Sequence, residues 1–373
     1  MTKSVCRWGI LGTATIAQKN WRAIANASNA VLTAVASRTD TRANEFIDLC
    51  QGAVAFDARP QALGSYESLI ERDDVDAIYI PLPTAIRKEW VLKAARAGKH
   101  VLAEKPTATS AEDLLEMLQV CRENNVQFMD GVMFMHSKRL QAMGEALWNT
   151  DAVGDIRRIV SHHTFCAPPE FLDGNIRMST ELEPHGCLGD VGWYSIRLIL
   201  WAMKYQMPKQ VVGRTLASQG RPDSPGGVPT EFSAELIFDD TTSAHFYCSF
   251  LTANQQWGTI GGTNGFLHVQ DFVLPFFDNS LYFDTAFAEY TIDACDFDMQ
   301  KHVTSHEVRE YANSRPCSQE TRMIEQMSEI AITGQRDPTW EQIAYRTQVV
   351  MDLCFESANA GSVAKDVEFD DSI

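Results

Sequence analysis

The sequence predicts an N-terminal α/β domain built on a doubly wound parallel sheet, then an α+β domain built on an open, mainly antiparallel sheet. Three observations carry that expectation. Through residue 124, short apolar runs of strand length alternate with helix-length amphipathic runs. After about residue 150, apolar residues recur with a period of two around turn signals, as in strands with one covered face. A chain of 373 residues that is 45% apolar can fill two cores. The expected domains are residues 1–130 and 131–373.

The elements follow in order. A strand at 5–11 leads through a glycine turn into a helix ending near residue 27. The same unit recurs at 31–37 with 41–50, at 77–80 with 84–97, and at 100–103 with 110–124. Gly98 stands where a helix C-cap is expected, and Ser110 with Asp113 forms a helix-start signal. Strands alternating with helices of this length imply a parallel sheet covered on both faces.

Farther on, Phe232, Ala234, Leu236 and Phe238 alternate with polar positions. So do Ala244, Phe246, Cys248 and Phe250 beyond the Asp239-Asp240 turn. An apolar face of that size needs helices or another subunit over it, and we expect this hairpin to belong to an open sheet that pairs two subunits. Asn264-Gly265 signals a hairpin turn of the positive-φ type. The Gly/Pro-rich run 220–229 is flanked by strand patterns and reads as a loop within one sheet. Helices return at 319–332 and 341–358.

Composition excludes several functions. The formal net charge of −17 argues against binding a phosphate backbone or an anionic membrane surface. Nine scattered cysteines without a Cys-x-x-Cys pair read as reduced, mostly buried residues. Few residues precede the first strand run, so no cleavable signal is expected and the expected compartment is the cytoplasm. The most apolar helix, 188–203, contains Asp190 and Arg197 and is no membrane span.

The chemistry concentrates at Gly189-Asp190-Val191-Gly192-Trp193-Tyr194, read together with Glu104-Lys105-Pro106. Four residues apart on a helix, Asp190 and Tyr194 share a face. A lysine brought near them stabilises a phenolate, which suits a tyrosine that takes a proton from an alcohol while hydride leaves its carbon. At the first strand-to-helix turn, Gly12-Thr13-Ala14-Thr15-Ile16-Ala17 has the register G-x-A-x-x-A of a pyrophosphate-binding turn. Ala14 replaces the usual second glycine and is tolerable if its φ is negative. The second strand ends in Ser37-Arg38, with Arg42 nearby, where a free ribose hydroxyl is usually met by a carboxylate. A hydroxyl and guanidiniums fit a 2′-phosphate, so NADP is expected over NAD; Asp40, close by, keeps NAD possible. His162-His163 reads as a strand pair, and no metal site is expected.

Taken in order, these motifs and Tyr66-Glu67-Ser68-Leu69, Asp76-Ala77-Ile78-Tyr79-Ile80-Pro81-Leu82-Pro83-Thr84 and Gly98-Lys99-His100-Val101-Leu102-Ala103-Glu104-Lys105-Pro106 resemble the Gfo/Idh/MocA family of NAD(P)-dependent oxidoreductases nearly end to end. The resemblance is closest to the branch of dimeric dihydrodiol dehydrogenase, D-xylose dehydrogenase and glucose-fructose oxidoreductase. It implies a Rossmann domain followed by a substrate-binding and oligomerisation domain, and a homodimer or higher homo-oligomer through the C-terminal sheet.

It also implies Lys105 as catalytic lysine, Tyr194 as proton-transfer residue and Asp190 as the orienting carboxylate. Gly12, Thr13, Ala14, Thr15, Ile16, Ser37, Arg38, Arg42, Pro81, Leu82, Pro83, Glu104 and Lys105 are then expected at the cofactor. Phe134, His136, Arg177, Asp190, Trp193 and Tyr194 are expected at the substrate, a sugar or cyclic diol. Arg87, where relatives carry histidine, and Trp193 depart from the family pattern. Two other readings stay open, a dinucleotide-binding regulatory protein without turnover and an NAD-dependent glycosidase.

Overall fold

The structure, a computed structural model, describes residues 5–369. These residues form two compact units. One runs up to His136 and takes in Glu181–Pro184 and Tyr311–Val349; the other comprises Ser137–Thr180, His185–Glu310 and the chain from Val350 onward.

In the first unit six strands, β1 (Cys6–Leu11), β2 (Ala30–Ala36), β3 (Gln61–Leu63), β4 (Ala77–Ile80), β5 (His100–Ala103) and β6 (Phe128–Asp130), pair in parallel in the order β3-β2-β1-β4-β5-β6. Helices α1 (Thr15–Asn26), α2 (Asp40–Ala53), α3 (Tyr66–Ile70), α4 (Thr84–Arg96) and α5 (Ala111–Glu123) connect them. This is the doubly wound topology of a Rossmann sheet, whose order reverses between β1 and β4. Every residue of β4 is buried, as expected of a strand covered on both faces.

The expected helix signals hold. Gly98 has φ +74°, and the Ser110 side chain accepts from the Asp113 amide at 3.1 Å. The three-residue strands β3 and β6 carry too little pattern to stand out in the sequence, and residues around them read as connections.

The second unit contains α6 (Lys138–Trp148), α7 (Pro169–Gly174), a π-helical turn at Leu188–Gly192 and α8 (Trp193–Ala202). Its strands are β7 (Ile156–Cys166), β8 (Gln210–Gln219), β9 (Val228–Ile237), β10 (Ser243–Ser249), β11 (Leu251–Gly262), β12 (Phe266–Val269), β13 (Leu281–Asp293), β14 (Asp296–Val308) and β15 (Lys365–Asp366). They order as β14-β13-β12-β11-β7-β10-β9-β8-β15, and every pairing is antiparallel except β10 with β7. Toward the C-terminus, α9 (Gln319–Thr333) and the start of α10 (Pro338–Asn359) return to the first unit, and α10 from Val350 onward belongs to the second. The 220–227 loop joins the adjacent strands β8 and β9, as expected.

Two expectations need correction. The β9–β10 hairpin forms, but Phe232, Ala234, Leu236, Phe238, Ala244, Phe246, Cys248 and Phe250 are no more than 3% exposed, because the π turn lies over β9 and β10 and α8 over β10. Helices of the chain cover this face, so it is not the surface left for another subunit. The β11–β12 hairpin also forms around Asn264-Gly265, yet neither residue has positive φ. Gly265 is required for another reason. A Cβ there would lie 2.5 Å from the Ala286 carbonyl oxygen and 2.6 Å from that of Ala152.

Candidate active site

In the first unit, the turn after β1 is fixed by Gly12, whose φ of +117° suits glycine. A Cβ at Gly12 would meet Leu82 Cδ2 at 2.9 Å, so the β1 and β4 loops touch where the strand order reverses. Ala14 has φ −69° and ψ 153°, an ordinary extended conformation, which is why alanine is tolerated there. As N-cap of α1 it offers no side-chain acceptor, and no acidic residue stands in the first turn. The amides of Thr15 and Ile16 therefore open a helix whose N-terminus favours an anion.

Thr13 Oγ1 and Ser37 Oγ lie 3.2 Å apart, with Ser37 buried at the end of β2. Thr39 caps α2 by accepting from the Arg42 amide at 3.3 Å. Arg38 and Arg42 are exposed; burial raises the Tyr66 pKa above its ordinary value, and the two guanidiniums offset only part of that rise. The Asp40 carboxylate faces Gly64, where a Cβ would stand 2.9 Å from it. These residues fit a dinucleotide: a helix start for the pyrophosphate, a close-approach glycine, and hydroxyl and guanidinium groups at the end of β2.

The β4 and β5 loops are tied together by Arg87, only 2% exposed. Its Nε and Nη2 donate to the Leu82 carbonyl at 3.1 and 2.6 Å, and its Nη1 donates to the carbonyls of Pro106 and Thr107. Pro81-Leu82-Pro83 and Lys105-Pro106 are thus held by one guanidinium. Arginine forms this double clamp because its planar fork presents five donors. Glu183 fixes the start of α4, accepting from the Thr84 amide at 2.9 Å and hydroxyl at 2.6 Å. Glu104 Oε1 accepts from the Tyr79 hydroxyl at 2.5 Å, and Oε2 from the Lys105 amide at 3.3 Å. Lys105 itself is 9% exposed at the C-terminal end of β5, the end where ligands sit in such sheets.

Phe134 and His136 lie in a buried 3₁₀ turn, Met133–His136. His136 Nδ1 is 2.9 Å from Gln326 Oε1, and its ring stacks on Trp340 at 4.5 Å. The structure places this histidine within the packing of the first unit.

In the second unit the Asp190–Tyr194 stretch opens as a π turn and continues as α8. Such turns recur at functional sites. Gly192 permits the close approach: a Cβ there would sit 3.1 Å from both Cys248 Sγ and Leu188 Cδ1. Asp190 Oδ1 meets Arg177 Nε at 2.7 Å, the carboxylate side chain being 12% exposed. Asn175 Oδ1 in turn receives the Arg177 amide at 3.0 Å. The 175–177 segment therefore acts on Asp190. Tyr194 is 7% exposed, and its ring lies 5.3 Å from that of His163 on β7. Trp193 is fully buried, with the Arg197 guanidinium 5.9 Å from its ring centre.

His162 stacks on Trp257 at 4.2 Å, in keeping with a strand pair. Among the described residues no group of three or more His, Cys, Asp or Glu side chains is placed to hold a metal. Sequence reasoning missed the parts of Arg87 and His163. Arg87 stood out only as a departure from pattern, and nothing in the sequence signals the approach of His163 to Tyr194.

Two family models match this chain: the Gfo/Idh/MocA oxidoreductase family, NAD-binding Rossmann fold, over residues 6–132, and the Gfo/Idh/MocA C-terminal domain over residues 144–268. The chain is 36% identical over 195 residues to the dTDP-3,4-didehydro-2,6-dideoxy-alpha-D-glucose 3-reductase of Actinomadura kijaniata, covering 51% of this chain and 54%, about half, of that relative's length. It is 31% identical over 261 residues to D-xylose 1-dehydrogenase (NADP(+)) 2 of Haloferax volcanii, covering 69% of this chain and 74% of that one. Among solved structures it resembles KijD10, a 3-ketoreductase from Actinomadura kijaniata in complex with NADP and TDP-benzene. That likeness has a TM-score of 0.77 and 24% identity, covering 96% of this chain and 98% of that one.

Proposed function

Because this chain belongs to the Gfo/Idh/MocA family of NAD(P)-dependent oxidoreductases, we propose that it passes hydride between NADP and a hydroxyl or carbonyl carbon of a sugar or cyclic diol. Residues 1–130 serve the cofactor, and residues 131–373 serve the substrate and self-association. One observation carries the reading. Asp190 and Tyr194 emerge from a single π-to-α turn, with Asp190 held by Arg177 at 2.7 Å.

Bound NADP supplies or accepts the hydride. Around it, the N-terminus of α1 receives the pyrophosphate, and Ser37, Arg38 and Arg42 receive the 2′-phosphate. The name of the Haloferax volcanii relative specifies NADP, and the KijD10 structure holds it, in agreement with this choice. Tyr194 exchanges the hydroxyl proton of the substrate. Lys105 supplies positive charge and a donor to the same oxygen, and Asp190 orients the substrate. Arg177 is a positioning residue that fixes the Asp190 carboxylate. The reaction runs in the cytoplasm, in a homodimer or higher homo-oligomer built through the C-terminal sheet.

Relatives named for sugar nucleotides and for a free pentose bound the substrate class on either side. A panel of aldoses, inositols, dihydrodiols and nucleotide-linked ketosugars, run with NADP or NADPH and read as reduced-cofactor absorbance, tests the proposal. Turnover with at least one sugar supports it. Cofactor binding without turnover on the whole panel favours the regulatory reading, and cleavage of an aryl glycoside the glycosidase one.

A further inference from the structure

The Gly/Pro-rich run 220–227 between β8 and β9 has no part in the chemistry proposed above, yet it meets the segment that carries Arg177. The Thr180 amide donates to Ser224 Oγ at 3.1 Å, and the two hydroxyl oxygens lie 3.0 Å apart. The Arg221 amide donates to the Met178 carbonyl at 3.4 Å, and its Nη1 to the Asn175 carbonyl at 3.5 Å. Asn175, Met178 and Thr180 thus all rest on this loop. They need the support, because a single 3₁₀ turn, Ile176–Met178, is too short to hold its own position. The loop can give it. Arg221 grips Asp223 through Nε and Nη2, the Ser224 amide returns to the Arg221 carbonyl at 3.1 Å, and Ser218 Oγ closes the base by donating to the Val228 carbonyl at 3.1 Å.

The same hairpin end supports the other half of the Arg177–Asp190 pair. Gly186, two residues ahead of the π turn that bears Asp190, has φ +48° and packs on the start of β9. A Cβ there would lie 2.9 Å from Val228 Cβ and collide with the Pro229 carbonyl oxygen. Gln219 pairs with Val228 across the hairpin, so contacts from one place reach Arg177 on one side and Asp190 on the other. All these residues belong to the second unit.

We infer that the end of the β8–β9 hairpin is a positioning element for the reaction, with Arg221 and Ser224 holding Arg177 where its Nε meets Asp190 Oδ1 at 2.7 Å. The inference rests on the proposed role of Asp190 in orienting the substrate, and it names what fixes that carboxylate. Energetics call for such a hold. The Arg177 side chain is 33% exposed, and an ion pair that open to water contributes little when long side chains must first be ordered. Anchoring both backbones on one hairpin removes part of that ordering cost.

Amide hydrogen exchange and kinetics on an Arg221→Met, Ser224→Ala double variant of the full chain test this. The amides of Arg177, Met178 and Ser179 keep their own acceptors in the variant, Asn175 Oδ1 and the carbonyls of Asn175 and Ile176, so faster exchange there reports movement of the whole segment. Exchange should rise about tenfold at these three amides and stay unchanged in α6. On a sugar that the wild type accepts, kcat/KM should fall about tenfold at unchanged NADP affinity, the size of one or two lost neutral hydrogen bonds. In an Arg177→Met background the same two changes should cost less than about twofold, because the loop acts through Arg177. Ser224→Thr, which keeps the hydroxyl, should stay near wild type. Unchanged exchange overturns the brace. Faster exchange with undiminished kcat/KM, or an equal further loss in the Arg177→Met background, overturns the positioning role. A wild type that turns over no sugar of the panel overturns the proposed function instead, and the exchange rates alone then decide whether the loop holds Arg177.

Discussion

Arg38 and Arg87 are both arginines beside the glycine turn, yet they do different work. Arg38 is exposed at the end of β2, and its charge is available to a ligand. Removing it by Arg38→Ala should weaken NADP by about 1.5 to 3 kcal/mol, the size of a charge-assisted hydrogen bond, and leave NAD nearly unchanged. Calorimetric titration of both cofactors reads this directly, and equal losses would remove the 2′-phosphate role. Arg87 is buried and satisfies carbonyls of two loops. Arg87→Met should lower unfolding free energy by about 1 to 3 kcal/mol and weaken NADP and NAD alike, since the carbonyls lose their partner and the loops their clamp. Asp190→Asn and Arg177→Met should each reduce turnover while sparing cofactor affinity, because in the proposed function Arg177 holds Asp190, and Asp190 orients the substrate.

At the scale of elements, the sequence was readable where local chemistry decides the outcome. Strands 77–80 and 100–103 match β4 and β5 residue for residue, because burial of all of β4 and of Val101–Ala103 in β5 leaves short unbroken apolar runs. Ser110 and Gly98 mark their helix ends through hydrogen bonding and backbone freedom alone. What escaped depends on partners distant in sequence. The π turn at Leu188–Gly192 arises where the helix presses on β10, and Gly265 is set by two carbonyls from other segments. The covering of β9 and β10 by the chain's own helices could not be read from their alternation, which looks the same under a helix or a subunit.

Gly213 on β8 shows the same dependence. A Cβ there would fall 1.9 Å from the Cys354 carbonyl oxygen of α10, and the Gly213 amide donates to Ser357 Oγ at 3.0 Å. Gly213→Ala should therefore cost about 3 kcal/mol or more, since backbone rather than a flexible side chain must yield. Urea unfolding reads this, and a loss below about 0.5 kcal/mol, the range of neutral surface changes, would show that the strand and helix can part cheaply.

For the whole molecule, burial of histidine ties stability to pH. Burial lowers the His185 pKa from 6.5 to about 4. Above pH 6.5 the folded and unfolded chains both hold it neutral. As pH falls toward 4 the unfolded chain takes up a proton that the folded chain refuses, so stability declines by up to about 3 kcal/mol across that window. Burial shifts His100, His162, His245 and His268 in the same direction, so His185→Gln should reduce the slope of stability against pH without abolishing it. An unchanged slope in chemical unfolding between pH 7 and 4 would remove His185 from that role.

The family, the parallel sheet with its glycine turn and the π-borne Asp190–Tyr194 pair converge on one claim, that Tyr194 moves the proton while NADP handles the hydride. Turnover of Tyr194→Phe beside wild type, on a sugar the wild type accepts and with NADP affinity measured in parallel, tests it most directly. Turnover should fall about 10² to 10⁴-fold with affinity almost unchanged, the range for a positioned general acid or base. Near-normal turnover of Tyr194→Phe across the pH range would contradict it and leave Tyr194 as a packed ring beside His163.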